Sequence, residues 1–289
     1  IQSALNINIV DVQYSQDNQH IKLTAAPPVS NLPKEILWKN RRFPLEPYTI
    51  AVGVSTVGPV LLDMRNQHAH MLIAGTTGSG KTALLKLILY QCICWHMVLY
   101  VADFKHRVSF GKWWEGRCSL CGSLEELIPM LEEIVETMNQ RMEMLREAGF
   151  EDIEEYNKAH ATGRLRHIVW ACDEAIDIFD KTGASKARKT QIEQVESLVS
   201  QIARKGRAAG CHALLAGQRL DAATIAPHVR SNILCRICGR ADEILSNIVL
   251  DNRIAADMVP SDVPGRFVLS NGANSYTVFQ SYKFDERRQ

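Results

Sequence analysis

The 289-residue sequence has no excess of charge of either sign: 33 Lys and Arg stand against 32 Asp and Glu, a formal net charge of +1. That balance removes the bulk electrostatic case for a protein that coats nucleic acid or a membrane surface, so any basic surface must be local. There is no apolar run of the roughly eighteen residues that a membrane-spanning helix needs. The most hydrophobic stretch, residues 83–101, is broken by Lys86, Gln91 and His96, so membrane attachment is expected only through segments outside this sequence. Cysteine is sparse, at 8 residues, too few for a disulfide scaffold at this length. Cys92, Cys94, Cys172 and Cys211 fall in apolar runs, as reduced core thiols do, which predicts a cytoplasmic, reducing compartment. The sequence opens at Ile1 with no Met, no basic leader and no short apolar segment, so no signal peptide is expected and the sequence reads as an excised piece. Internal repeats and low-complexity tracts are also missing. What remains, 46% hydrophobic and 22% charged residues, is the composition of a globular chain able to bury a core.

Residues 1–59 alternate short apolar segments, such as residues 8–12 and 20–23, with Pro27, Pro28, Pro33, Pro44, Pro47 and Pro59, the pattern of a small β-rich module and a turn-rich linker. From Val60 the rhythm changes. A strand over 71–74, a helix over 82–94 and a strand over 97–102 begin an alternation that predicts an α/β domain around a mostly parallel sheet across 60–289. Apolar residues from Leu124 to Leu145 recur every three or four positions, one face of a long helix whose methionines are core filler. Residues 167–172 read as a buried strand, with further strands at 212–216, 233–238, 267–269 and 276–280, and Gly149 or Gly163 are candidate helix ends.

Gly75-Thr76-Thr77-Gly78-Ser79-Gly80-Lys81-Thr82 fits the phosphate-binding loop pattern in full, after an apolar strand and at the opening of a helix. Glycines let successive backbone N–H groups curl round phosphates, and the helix N-terminus adds its positive end. Lys81 is the expected partner of the β and γ phosphates of ATP, and the Thr82 hydroxyl the expected ligand of Mg²⁺. Asp173-Glu174 follows the strand at 167–172, on the edge where open α/β sheets bind ligands. Asp173 is the candidate Mg²⁺ partner, and Glu174 the candidate base for the attacking water. Gln218, after the strand at 212–216, is placed to contact the γ-phosphate or that water, against the alternative of a strand-end cap. Asp103-Phe104-Lys105 ends another strand on the same edge, to support the loop, to line a subunit face, or as a plain ion-paired strand end.

Two Cys-x-x-Cys pairs, Cys118/Cys121 and Cys235/Cys238, resemble zinc ligands in spacing. They are too far apart for a ribbon, and the second lies in a strand, where i and i+3 face opposite ways. They are expected to be structural. Lys181, Lys186, Arg188 and Lys189 cluster after the two acids, and Arg204 and Arg207 follow a helical stretch; all six are candidate contacts to nucleic-acid phosphates, against the ordinary reading of solvated faces.

These motifs together resemble the FtsK/SpoIIIE family of ring motor ATPases over roughly residues 61–278. The likeness lies in Gly75 to Thr82, in Asp103 to Lys105 and in Asp173-Glu174. It is strongest in the block from Ile202 to His212 that leads to Gly217-Gln218-Arg219, and it continues through Ser231 to Ile233 and Arg236 to Asp251. The resemblance implies a RecA-like core, a hexameric ring of identical subunits and an arginine supplied by the neighbour. Many members carry that Arg four residues before the Asp matching Asp251, where this sequence has Asn247, so Arg236, Arg240 and Arg207 are the candidates. Within the family, chromosome and conjugation motors pull double-stranded DNA, whereas type VII secretion ATPases handle protein. The expectation is an ATP-hydrolysing motor that translocates double-stranded DNA, with a protein-secretion ATPase as the alternative and a non-hydrolysing ATP-binding scaffold behind both. No DNA-reading winged helix is expected after Gln280.

Overall fold

The architecture is described from a computed structural model for residues 8–14, 21–26, 28–39, 46–106, 108–218, 220, 225–270 and 275–288. Strands β1 (Asn8–Tyr14) and β2 (Ile21–Ala26) form their own antiparallel pair. An 11-stranded sheet makes the body. Its central strand, β6 (Met71–Ala74), follows β3 (Ile36–Leu37), β4 (Thr49–Ser55) and β5 (Gly58–Asp63). Next come α1 (Lys81–Cys94), β7 (Val98–Ala102), β8 (Ser119–Cys121), α2 (Leu124–Ala148), α3 (Ile153–Ala159) and β9 (Ile168–Cys172). The chain continues through α4 (Ala175–Phe179), α5 (Lys186–Lys205), β10 (Cys211–Gly217), α6 (Pro227–Arg230), β11 (Cys235–Cys238), α7 (Glu243–Leu250) and α8 (Ile254–Met258), and closes with β12 (Arg266–Ser270) and β13 (Tyr276–Lys283).

The sheet order is β5-β4-β13-β12-β11-β6-β10-β9-β7-β8, with β3 added beside β13. From β11 to β8 every neighbouring pair is parallel; from β11 outward through β12, β13, β4 and β5 every pair is antiparallel. The predicted strands are present, β6 with both ends as expected and the others with ends moved by at most three residues. The expected boundary between residues 59 and 60 falls inside the β4–β5 hairpin, and both of its strands belong to this one sheet. Buried Arg266 ties residues 28–33 to it as well, donating to the carbonyls of Val29, Leu32 and Pro33 at 3.2 Å each and to Gln280 Oε1 at 3.0 Å. Burial lowers the Arg266 pKa, and the four oxygens compensate the buried cation.

Helices α2 and α5 pack on one face of the sheet and α1 on the other, giving two apolar cores. Helix α1 touches β4 and β13 as well as β6, β7 and β10, so it is apolar nearly all round, which explains the long hydrophobic run. Gln91 and Lys86, two of the polar residues that interrupt the run, have partners. Gln91 accepts from Ala51 N and donates to Ala51 O, both at 2.9 Å, beside the irregularity in the β4 ladder; Lys86 pairs with Glu286 at 2.6 Å. Helix α2 starts on a reciprocal cap: Ser123 accepts from Glu126 N, and Glu126 Oε2 accepts from Gly122 N. It ends at Gly149, whose φ of 77° is the left-handed stop expected there, whereas Gly163 lies beyond the end of α3. In β11, Cys235 enters one core and Cys238 the other, as strand alternation requires. No helix among the described residues is long and apolar enough to cross a membrane.

Candidate functional site

Parallel pairing places Ala74 beside both Cys238 and Gly217, and Cys172 beside Leu215. The segments that begin at Gly75, Asp173, Gln218 and Gly239 therefore leave the same edge of the sheet, side by side. Two glycines in the first segment are required by space. Gly75 has φ 149°, and a Cβ there would meet Ser79 Oγ at 2.7 Å; Gly80, at φ 100°, lies against Gly265, where a Cβ would be 3.2 Å from its backbone N. The loop opens α1 with Lys81 as the first helical residue. Lys81 is buried and its Nζ donates to Gly75 O at 2.7 Å. Burial lowers its pKa, opposed first by the charge of Glu174 and then by that of Asp173. Ser79 Oγ is buried with no hydrogen-bond partner among the described residues. A buried hydroxyl without a partner beside a glycine-lined loop, with a buried ammonium on a bare carbonyl, is a cradle built for phosphate oxygens.

Thr82 Oγ1 donates to Asp173 Oδ1 at 2.8 Å, so the hydroxyl and the carboxylate expected at a divalent cation already face each other. Glu174, 7% exposed, is held on both oxygens. Oε1 accepts from Gln218 N at 2.9 Å, and Oε2 accepts from Gln218 Nε2 at 3.1 Å, with Lys105 Nζ at 3.6 Å. The other end of the Gln218 amide accepts from Thr77 Oγ1 at 2.8 Å. One glutamine thus joins the candidate base to the phosphate loop. Buried Asp103 shapes the Lys105 turn by accepting from Lys105 N and Phe110 N at 3.1 and 3.0 Å.

The three candidate arginines separate. Arg240 lies on its own chain's phosphate loop: Nε donates to Thr76 Oγ1 at 2.8 Å, Nη1 to Ser261 O at 2.8 Å and Nη2 to Thr77 O, while its carbonyl accepts from Thr76 N at 2.8 Å. Arg236 sits beside Leu72, early in the parallel strands, and pairs with Asp251 Oδ2 at 2.7 Å. Arg207 is exposed, on the turn before β10. Asn247 lies within α7, donating to Glu243 O. Arg219 and Asp221 are outside the described residues.

The six candidate nucleic-acid cations also divide. Lys181 is paired with Glu196 at 2.7 Å. Lys186, Arg188 and Lys189 occupy the first turn of α5, whereas Arg204 is in its last turn and Arg207 just beyond it. From Lys189 to Arg204 the helix runs fifteen residues, which separates the two groups by about 22 Å at about 1.5 Å each. They form two clusters on one subunit.

Two contributors were not resolved in the sequence. Lys105 is singled out there only as one charge of a strand end, and Arg240 only as a residue reaching a neighbour. A basic residue just past a strand beside the loop strand is the available signal, but the pairing of β11 with β6 that gives it meaning joins residues some 164 positions apart.

The sequence pattern of the FtsK/SpoIIIE family matches residues 34–222. Among proteins of known function, the chain is 28% identical over 223 residues to the DNA translocase SftA of Bacillus subtilis strain 168, covering 71% of this chain and 22% of that protein. It is 29% identical over 217 residues to the DNA translocase FtsK of Helicobacter pylori strain J99, covering 71% of this chain and 24% of that one. The chain thus spans less than a quarter of either relative. Among solved structures, the pCW3 conjugation coupling protein TcpA in a monomer form with ATPγS is similar at TM-score 0.86 and 30% identity, over 100% of this chain and 80% of that one. The cytoplasmic domain of the Thermomonospora curvata type VII secretion ATPase EccC is similar at TM-score 0.66 and 25% identity, over 89% of this chain and 31% of that one.

Proposed function

This chain belongs to the FtsK/SpoIIIE family, and from that premise we propose that it is an ATP-hydrolysing motor domain that moves double-stranded DNA through a ring of identical subunits. The observation that carries the reading is the contact of Gln218 with both the candidate base and the phosphate loop, joined to the similarity with two DNA translocases and a conjugation coupling protein. The type VII secretion ATPase supports protein cargo as the second reading, at a lower TM-score. The hydrolytic core is taken to begin near residue 34, where the family match starts, with β1–β2 as a separate module.

In this reading Gly75 to Thr82 bind the phosphates of ATP through backbone N–H groups, and Lys81 exchanges the Gly75 carbonyl for β- and γ-phosphate oxygens. Thr82 and Asp173 hold Mg²⁺, which when bound neutralises phosphate charge. Glu174 takes the proton of the attacking water, which requires one of its oxygens to leave Gln218. Arg240 fixes the loop from its own subunit, and with Arg236 engaged by Asp251, Arg207 is the uncommitted candidate among the three for a neighbour's nucleotide. The first turn of α5, with Lys186, Arg188 and Lys189, is the proposed DNA-facing cluster. Anchoring to a membrane belongs to segments outside this chain, and a cytoplasmic location follows from the proposed substrate.

The test is steady-state ATP hydrolysis with Mg²⁺, with and without long duplex DNA, at two salt concentrations and across protein concentrations that span assembly. A several-fold, salt-sensitive stimulation is expected. An assembled, hydrolysing protein that ignores duplex DNA and responds to a secreted polypeptide would replace this reading with the second.

A further inference from the structure

On the sheet edge opposite the phosphate loop, the residues before β6 and β10 enclose a cavity of about 460 Å³. Its polar lining is Asn66, Gln67, His70, Arg204, Arg207 and Asn232, and no carboxylate lines it among the described residues. Besides His68, whose ring accepts from Asp63 N at 3.0 Å, three histidines lie in this region. Two have complete sets of partners: His212 Nδ1 is 2.9 Å from Ala69 O, His212 Nε2 is 2.8 Å from His167 Nδ1, and His167 Nε2 is 2.8 Å from Glu154 Oε1. The third, His70, does not. Its Nδ1 accepts the backbone N–H of Ala213 at 3.1 Å. Because that donor has only a proton to give, Nδ1 carries a lone pair, and the proton of the neutral ring resides on Nε2. His70 is 7% exposed, and Nε2 is buried with no partner among the described residues. Burial pushes the His70 pKa down to about 4, with the nearby charge of Arg207 adding to the effect, so the ring is a neutral donor at pH 7.

A buried donor without an acceptor is costly to leave unmade, and its residue lines a cavity that is also lined by Arg204 and Arg207. Arg207 enters no ion pair with a described residue, and Arg204 commits only Nε, to Ser200 O at 3.4 Å. The amides of Asn66 and Asn232 donate elsewhere, to Asp63 and His228. The lining therefore offers one neutral buried donor and two planar forks of N–H groups, a set that matches a tetrahedral oxyanion with several acceptors to satisfy.

We propose that this cavity is a second phosphate-binding site, in which His70 Nε2–H, Arg204 and Arg207 converge on one phosphate group. It is separate from the nucleotide site: His70 immediately precedes β6 and Gly75 immediately follows it, so the strand stands between them, about 16 Å of extended chain. The phosphate can come from a DNA backbone or from a nucleotide held by a second copy of the chain.

The experiment follows the ¹⁵N–¹H signals of His70 in ¹⁵N-histidine-labelled protein, assigned with His70→Gln, while inorganic phosphate is added against chloride at matched ionic strength. A saturable shift of the His70 Nε2 signal is expected, with unchanged His167 and His212 signals and affinity about tenfold weaker in Arg207→Gln. If His70 does not respond, or Arg207→Gln and Arg204→Gln respond as the unaltered protein does, the cavity holds water and the proposal is overturned. With the site established by phosphate, two additions identify the source. The same shift with duplex DNA assigns the backbone, and a shift with ATPγS that appears only at assembling concentrations assigns the second copy. DNA-dependent hydrolysis is recorded on the same samples, so loss of the motor reading would show there while the phosphate response of His70 stands by itself.

Discussion

Replacing Glu174 with Gln isolates the base from the binding site. In the structure Glu174 touches Gln218 and Lys105 and makes no hydrogen bond to the loop residues that would hold phosphates. Gln has the same length, and its oxygen can keep the bond from Gln218 N. Its amide nitrogen would then face Gln218 Nε2, donor to donor. Rotating the Gln218 amide repairs this, and the Thr77 hydroxyl can reverse from donor to acceptor to follow. The cost to folding is about 1 kcal/mol at most, one neutral hydrogen bond. ATP affinity should stay within about twofold, a few tenths of a kcal/mol. Hydrolysis should fall by about 10²–10⁴, the usual contribution of a positioned general base. Single-turnover hydrolysis beside fluorescent-nucleotide binding separates the two quantities. Turnover within threefold of the unaltered protein would refute the assignment of Glu174, and a parallel loss of binding and turnover would show that the residue acts through the fold.

Three further outcomes follow from the geometry. Because burial lowers the Lys81 pKa while Glu174 and Asp173 oppose that shift, ATP binding should weaken on the alkaline side at a lower pH than an exposed lysine would give; Glu174→Gln should move that limb lower still, as a pH titration of nucleotide affinity would show. Arg240→Ala removes donors to Thr76, Thr77 and Ser261, partly exposed bonds together contributing about 2 kcal/mol, and should weaken ATP about 30-fold even in protein too dilute to assemble; an effect confined to assembled protein, measured by titration at both concentrations, would make it an arginine acting on a neighbour. Gly206→Ala would put a Cβ 2.2 Å from Cys211 O and 2.5 Å from Ile202 O, backbone atoms with little room to yield, and should cost about 3 kcal/mol; a melting temperature within one degree of the parent would contradict it.

The sequence reveals most where chemistry is contiguous. The loop from Gly75 to Thr82 carries its own strand and helix signals, and Asp173-Glu174 and Gln218 each follow a strand in a parallel run, so one rule about strand ends brings all three to one edge. The alternation from Val60 onward likewise shows the α/β order. Less is visible where partners are remote. Residues 1–59, which include β4, read as a separate small module and linker, because nothing local shows that β13, more than two hundred residues later, pairs with β4. Lys181 and Arg207 look alike as members of basic runs; only the fold pairs the first with Glu196 and leaves the second beside a cavity. His70 lies in the same position in sequence terms as any residue before a buried strand, and that its Nε2 finds no partner among the described residues depends on the register of β10 against β6.

In the proposed function, hydrolysis at the Lys81–Glu174 site moves double-stranded DNA. The most direct measurement is displacement of a triplex-forming oligonucleotide from a long duplex by the assembled protein with ATP and Mg²⁺. Displacement should depend on duplex length, stop with ATPγS and be lost in Glu174→Gln. An assembled ring that hydrolyses ATP at full rate on that duplex and leaves the third strand in place would contradict it.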